Sequence, residues 1–110
     1  MPQGLGEFEQ MVLLAILHVK GEAYGVPIVE EIERRTGRTV SRAAVYVTLR
    51  RLEKRGLVTS WMSEPTGARG GKARRCVRVE REGAELLRES RRAMERMWDD
   101  LDAGTLESAT

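Results

Sequence analysis

Several residue types are scarce in this sequence of 110 residues, and each shortage excludes a class of protein. The single cysteine, Cys76, cannot form an intrachain disulfide or a Cys-rich metal site. The single histidine, His18, has no second imidazole and no nearby cysteine with which to bind a metal. No apolar run approaches the roughly 20 residues of a membrane-spanning helix. We therefore predict no metal, no cofactor and no membrane partner.

Groups for catalysis and for RNA recognition are also few. One histidine, one cysteine and no paired carboxylates leave no nucleophile and base to combine, so we predict that the chain is not an enzyme. Aromatic residues make up only 5% of the chain, whereas RNA recognition favours exposed aromatic rings on which bases stack. The first ten residues, MPQGLGEFEQ, lack the cationic segment and apolar core of a signal peptide. With the lone cysteine, this start predicts a cytoplasmic protein.

Positive charge is concentrated in the middle of the chain. Residues 34–79 contain thirteen Lys or Arg and only two acidic residues, Glu53 and Glu64, although the whole chain has a net charge of +2. Such segregation gives the folded molecule a positive surface suited to a polyanion, and nucleic acid is the natural polyanion.

The segment 41–56, SRAAVYVTLRRLEKRG, is predicted to be a helix with a clear start and a clear end. Ser41 is a good N-cap, and Gly56 stands where a left-handed residue ends a helix. At about 100° per residue, one face is apolar and the opposite face carries small residues and then cations. The inward face holds Val45, Thr48, Leu49 and Leu52, and the outward face holds Ala43, Val47, Arg50 and Lys54, flanked by Tyr46 and Arg51.

Two interpretations of this outward face are open. It suits a helix whose first turns enter a DNA major groove, where Ala43 and Val47 could contact thymine methyl groups. It is equally typical of an ordinary solvated amphipathic helix. The neighbouring segments decide between them.

Two helices are predicted before this segment. Residues 7–19 are apolar nearly all round, so this helix needs one cover from its own domain and a second from elsewhere, most simply another copy of the chain. A buried strand is the competing prediction for this run. The second helix contains Pro27 in its first turn and ends at Gly37. A short connection then leads to Ser41, which is the spacing of a helix-turn-helix with the cationic helix second.

A β-hairpin and a long helix are predicted after Gly56. Residues 57–62 and 74–79 alternate in polarity like strands, and PTGARGG at 65–71 supplies a turn with Lys72 beside it. The cationic hairpin suits either DNA contact or a solvated edge that resists aggregation. Residues 82–101 form a helical pattern in which Leu87, Met94 and Leu101 recur every seven residues, which favours association between helices.

These elements predict a mainly α protein with a small β-hairpin: a winged helix-turn-helix with a C-terminal dimerisation helix. We expect a DNA-binding domain at 1–80, a dimerisation helix at 81–103 and a flexible tail at 104–110. Four stretches, in order and over nearly the whole chain, resemble the PadR family of bacterial transcriptional regulators: LGEFEQMVLLAIL, AYGVPIVEEIERRTGRTVS, AAVYVTLRRLEKRGLV and GARGGKARRCVRV. The most specific matches are Tyr46 with Leu49, Arg51-Leu52-Glu53 and Gly56-Leu57-Val58.

The resemblance is to the branch with one short C-terminal helix, and it implies a homodimer that binds palindromic operators in double-stranded DNA and usually represses. Some relatives bind flat aromatic or drug-like molecules between subunits, which implies an inducer. The chain departs from the family at Cys76, Val77 and Glu80, where relatives often have paired tyrosines and then a threonine that caps the last helix. The alternative function is a winged-helix module for protein or RNA contacts without operator recognition.

The predicted sites follow from these patterns. DNA contact is expected from Ser41, Arg42, Ala43, Tyr46, Val47, Arg50, Arg51, Lys54, Lys72, Arg74 and Arg75. The dimer interface is expected to contain Met11, Leu14, Leu87, Met94, Met97, Trp98 and Leu101. Trp98, with Met94 and Met97 as adaptable walls, is either one more interface residue or part of a ligand site.

Overall fold

The computed structural model describes residues 4–64 and 72–109. Three helices come first, α1 (Glu7–His18), α2 (Gly25–Thr36) and α3 (Arg42–Lys54). An antiparallel pair, β1 (Val58–Met62) and β2 (Arg75–Val79), is followed by α4 (Arg81–Trp98) and the short α5 (Ala103–Ser108). The predicted turn at 65–71 lies outside the described residues. None of the helices in the described ranges is long and apolar enough to cross a membrane.

The core lies where α1, α2 and α3 meet the two strands. Helix α1 buries Val12, Leu13, Ala15 and Ile16. Helix α2 adds Ile28 and Ile32, and α3 adds the four residues of its predicted inward face, Val45, Thr48, Leu49 and Leu52. The sequence therefore predicted the orientation of α3 about its own axis correctly. Leu14 and Leu17 stay exposed on α1, as expected for a helix that is apolar nearly all round.

The ends of α3 follow the predicted chemistry. The Ser41 hydroxyl accepts a hydrogen bond of 3.0 Å from the Ala44 N–H, which satisfies one of the unpaired donors of the first turn. Gly56 has φ +75°, a backbone conformation that is costly for residues with a side chain. The chain then turns directly into β1 through a bond of 3.0 Å from the Leu57 N–H to the Leu52 carbonyl. These two ends fix where α3 stands relative to the hairpin.

The hairpin is paired in register from Val58 opposite Val79 to Met62 opposite Arg75. On its other side, β2 receives one backbone hydrogen bond of 2.8 Å, from the Val77 N–H to the Ala23 carbonyl. The segment before α2 therefore lies beside β2. This contact helps explain why both Cys76 and Val77 are buried, one on each face of the strand, while Arg75 and Arg78 are exposed.

The C-terminal helix differs from its prediction. It ends at Trp98 rather than continuing to Leu101, because Asp99 is extended and Asp100 has φ +66°. Leu101 therefore lies outside the helix that carries Met94, and the predicted seven-residue repeat is broken there. Leu87 is buried against the protomer's own core, so it does not belong to an exposed seam. Glu80 precedes the helix without capping it through its side chain, as the missing threonine predicted.

The last described segment, α5, is a short helix where the sequence predicted a flexible tail. Asp102 explains its start, because one carboxylate oxygen accepts a bond of 2.8 Å from the Thr105 N–H and one of 2.9 Å from its hydroxyl. These bonds lower the pKa of Asp102. Helix α5 buries none of its residues, so its N-cap is the local interaction that defines it.

Candidate nucleic-acid interface

The outward face of α3 is exposed along its whole length. Ser41, Arg42 and Ala43 stand at its start, and Arg50, Arg51 and Lys54 stand in its second half, all exposed. Tyr46 and Val47, between them, are also exposed although both are largely apolar. The structure thus places eight of the predicted DNA-contacting residues on one side of one helix.

A shallow groove of about 670 Å³ runs between α3 and β2. It is lined by four cations and one acid, namely Arg50, Arg51, Lys54, Arg75 and Glu53. Arg75 comes from β2, so the hairpin and the helix share one cationic surface. A surface of this kind attracts phosphates through long-range electrostatics and through guanidinium hydrogen bonds.

Glu53 connects the two sides of this groove. Its Oε2 accepts a hydrogen bond of 2.6 Å from the Ser60 hydroxyl on β1. Its Oε1 lies 3.6 Å from a terminal nitrogen of Arg75 on β2. The carboxylate therefore contacts both strands of the hairpin from the last turns of α3.

The other predicted hairpin cations lie differently. Lys72 is exposed just before β2. Arg74 is half-buried, with its guanidinium carbon 4.6 Å from the centre of the Tyr24 ring, a cation–π contact. Because side chains alternate along a strand, Arg74 lies on the opposite side from Arg75. Its expected contact with phosphate is therefore made, if at all, from outside the groove that Arg75 lines.

Tyr46 joins α3 to the beginning of α2. A Cβ placed on Gly25 would lie 2.5 Å from the Tyr46 hydroxyl oxygen, so only glycine fits there without a shift. The turn between the helices is braced by Glu33, whose Oε2 accepts a bond of 3.0 Å from the Val40 N–H. The two helices of the helix-turn-helix are thus held by specific contacts at both ends of the unit.

Arg38, in that turn, is engaged with α1. Its guanidinium donates a hydrogen bond of 2.7 Å to Glu7 and lowers the pKa of that carboxyl. At the C-terminal end of α3, the Arg55 guanidinium lies 3.3 Å from a carboxylate oxygen of Glu9. Part of the positive charge predicted for 34–79 is therefore paired with the acidic start of α1 and faces away from the groove.

A second, apolar groove of about 600 Å³ lies between α1 and α4. Leu14 and Leu17 line one side of it, and Leu87, Met94 and Trp98 line the other. Met97 does not line it and is 74% exposed, which contradicts its predicted place in a ligand site with Trp98. Met11 is half-buried against the core, where an Arg38 nitrogen lies 3.6 Å from its sulfur. The predicted interface residues therefore divide into a buried part and an exposed part.

Comparison with known proteins identifies the family. The model of the "Transcriptional regulator PadR-like family" matches residues 13–89, which includes α2, α3, the hairpin and the first half of α4. The chain belongs to the PadR-like family. The resemblance seen in the sequence is thereby confirmed, and the family is one of transcriptional regulators.

Solved PadR-like structures have the same fold. The chain matches a PadR family transcriptional regulator from Eggerthella lenta DSM 2243 with 27% identity and a TM-score of 0.66, over 94% of this chain and 88% of that chain. It matches a PadR-like transcriptional regulator from Bacillus cereus strain ATCC 14579 with 19% identity and a TM-score of 0.69, over 94% and 93%. Bacillus subtilis PadR, solved in complex with operator DNA, matches with 19% identity and a TM-score of 0.61, over 76% and 45%. A search of curated proteins finds no match.

These PadR-like neighbours confirm the predicted winged helix-turn-helix. Sequence reasoning nevertheless missed two residues that organise the interface of this member. Gly25 is needed for the approach of Tyr46, and Glu53 contacts both strands of the hairpin. The second had a visible signal, since Glu53 is one of only two acids in the cationic segment. No group of three or more potential metal ligands is found within residues 4–64 and 72–109.

Proposed function

We propose that this chain is a sequence-specific regulator of transcription that binds double-stranded DNA as a homodimer, on a palindromic operator, and represses. One observation carries the proposal. The exposed face of α3 continues without a break into the cationic groove that α3 shares with β2. Helix α3 is therefore called the recognition helix below.

The chemistry of this face changes along the recognition helix. Ala43 and Val47 are small enough to let the helix backbone approach base edges, and both can contact thymine methyl groups. Arg42 and Ser41, at its start, can donate hydrogen bonds to bases or phosphates. Arg50 and Lys54 follow on the same face, where phosphates would flank a helix inserted by its first turns.

The homodimer is supported by the uncovered apolar groove between α1 and α4. Leu14, Leu17, Met94 and Trp98 line it and are exposed in the single chain. A contiguous apolar surface of this kind marks an interaction site, and a second copy is the simplest cover. Two copies related by a two-fold axis would present two recognition helices to a palindrome. Repression then follows from occupation of a promoter.

An inducer is a further part of the proposal. Trp98 and Met94 in the groove offer a flat aromatic surface and an adaptable wall for a planar molecule. Such a molecule would release the operator only if it bound one spacing of the dimer better than another.

A winged-helix module for protein or RNA contacts is the second proposal, favoured by the exposed Trp61 and Met62 on the hairpin. Selection of bound duplexes from a random library, followed by fluorescence anisotropy, separates the two. We expect a palindrome to be enriched and to bind more tightly than its scrambled duplex or its single strand. Affinity should fall with salt at a log–log slope of about −0.9 per phosphate contact. Equal binding of all three nucleic acids, or none, would contradict operator recognition.

A further inference from the structure

Glu53 is the acidic residue in a groove otherwise lined by Arg50, Arg51, Lys54 and Arg75. A carboxylate at this place repels the phosphates that the surrounding cations attract. Its two oxygens have different partners, since Oε2 accepts the Ser60 hydroxyl at 2.6 Å and Oε1 faces Arg75 at 3.6 Å. The short bond to Ser60 fixes the carboxylate, and the carboxylate then limits where the Arg75 guanidinium can lie.

A role in holding the fold together does not account for this arrangement. The side chains of Arg75 and Glu53 are 63% and 37% exposed, and an ion pair in such contact with water contributes little to stability. The hairpin is held in place by other contacts, which include the backbone ladder from Val58 to Met62 and the burial of Val58 and Val77 in the core. The effect of Glu53 is therefore expected in DNA binding rather than in folding.

We infer that Glu53 is a positioning residue for Arg75, and that it sharpens discrimination between the operator and other duplex DNA. The inference rests on the DNA-binding function proposed above. A guanidinium already held in one place loses less conformational freedom when it meets a phosphate at the matching position. At a mismatched position, the Glu53 carboxylate stays close to phosphate and repels it. Specific binding thus gains relative to non-specific binding, although total positive charge is lower.

The test compares Glu53→Gln with Glu64→Gln by fluorescence anisotropy on the selected operator and on its scrambled duplex. Both variants gain one positive charge in the same cationic segment, and Glu64 is an exposed residue just after β1. Both should bind scrambled DNA more tightly. Only Glu53→Gln should also lower the ratio of operator to scrambled affinity, by about two- to fivefold, the range of a partly exposed charged pair. Thermal unfolding of each variant shows that the comparison is made on folded protein.

Two further variants assign the effect to positioning. Ser60→Ala removes the hydroxyl that orients Glu53 without changing any charge, and it should lower the same ratio in the same direction. In an Arg75→Gln background, Glu53→Gln should change the ratio no more than Glu64→Gln does, because the residue to be positioned is absent.

The possible failures are distinguishable. If the wild-type chain bound no duplex selectively, the proposed function and this inference would both be overturned. If the wild type bound its operator selectively, while Glu53→Gln and Glu64→Gln gave the same ratio, the inference alone would be overturned. A full effect of Glu53→Gln in the Arg75→Gln background would equally overturn it.

Discussion

Tyr46 on the recognition helix lies directly against Gly25, the first residue of α2. A Cβ on Gly25 would come within 2.5 Å of the Tyr46 hydroxyl oxygen and 2.8 Å of a ring carbon. Tyr46 is at the same time exposed on the face proposed to enter DNA. One contact thus connects the packing of the helix-turn-helix with the shape of its binding surface.

Replacing Gly25 by alanine should therefore affect binding more than stability. Tyr46 is partly exposed and can rotate outward, so we expect a loss of about 1 kcal/mol in the free energy of unfolding. The displaced ring should lower operator affinity, measured by anisotropy. With Tyr46→Ala in the same chain, Gly25→Ala should cost no stability, because the clash is gone. A Gly25→Ala protein with unchanged operator affinity would contradict the role of this contact.

Gly83→Ala should have the opposite balance. A Cβ at Gly83 would lie 2.6 Å from the Leu57 carbonyl oxygen, a backbone atom that also accepts a bond from the Glu80 N–H. The start of α4 must then separate from β1, at about 1–3 kcal/mol in the free energy of unfolding. Urea unfolding measures this loss. Operator preference of the folded fraction should stay unchanged.

The recognition helix could be predicted from sequence because its signals are local. Ser41, Gly56 and the apolar positions between them determine its ends and its buried face within sixteen residues. The end of α4 could not be predicted in this way, because the helical pattern continues through Asp99 and Asp100 to Leu101. Both aspartates adopt non-helical backbone conformations, and the cap at Asp102 starts a new helix.

Long-range contacts account for the other differences. Cys76 is buried because the segment around Ala23 lies beside β2, a neighbour 54 residues away in sequence. Leu87 shares its periodicity with Met94, yet only Leu87 reaches the protomer core. A periodic pattern shows which residues share a face, but it does not show which part of that face the domain itself covers.

Contacts to bases and contacts to phosphates should be separable by mutation. Arg50→Ala or Lys72→Ala should weaken binding to all duplexes and flatten the log–log salt slope by about 0.9 each. Arg42→Ala or Val47→Ala should change which base pair is preferred, with about 1–3 kcal/mol at stake for each good base contact. Anisotropy on single-base variants of the operator measures both. Equal losses on every sequence from all four variants would remove the base-reading assignment.

The buried thiol predicts a dependence of stability on pH. Burial raises the pKa of Cys76, and the Glu22 carboxylate, 3.6 Å from its sulfur, raises it further. The unfolded thiol, near its ordinary value of 9.0, therefore loses its proton before the folded one does. The stabilisation by the neutral thiol is complete below that value and is lost as pH rises through the folded pKa. The stability advantage of wild type over Cys76→Ala in urea should be constant from about pH 7 to 8.5 and shrink above about pH 9. A constant difference throughout would contradict the prediction.

The proposed dimer should depend on the exposed part of the apolar groove. Leu87 is unsuitable as a test, because a charge there would enter the protomer core. Leu14→Glu combined with Met94→Glu places two charges on exposed positions, and it should give a folded monomer in sedimentation. Met62→Glu, equally exposed but on the hairpin, should remain dimeric. The wild-type footprint should show two half-sites about one helical turn apart, roughly 10 base pairs. A Leu14→Glu/Met94→Glu protein that stays dimeric would exclude this interface.

Trp98 tests whether the groove also accepts an inducer. The indole is 54% exposed in the single chain and lines the groove with Leu14 and Met94. A second copy would either cover it as ordinary packing or leave two indoles facing each other across the two-fold axis. In the second case, planar cations or phenolic acids should quench Trp98 fluorescence with saturation and lower operator affinity. Trp98→Phe, which retains only Trp61, should remove both effects.

The coupling between these two effects is the decisive measurement for Trp98. A guest that binds with equal affinity to the free and the DNA-bound dimer changes nothing at the operator, whatever its affinity. Release therefore requires quenching that is weaker in the presence of operator, by the same factor by which the guest weakens operator binding. If no compound quenches Trp98, or if quenching is indifferent to operator, the indole is an interface residue and control must come from the amount of protein or another partner.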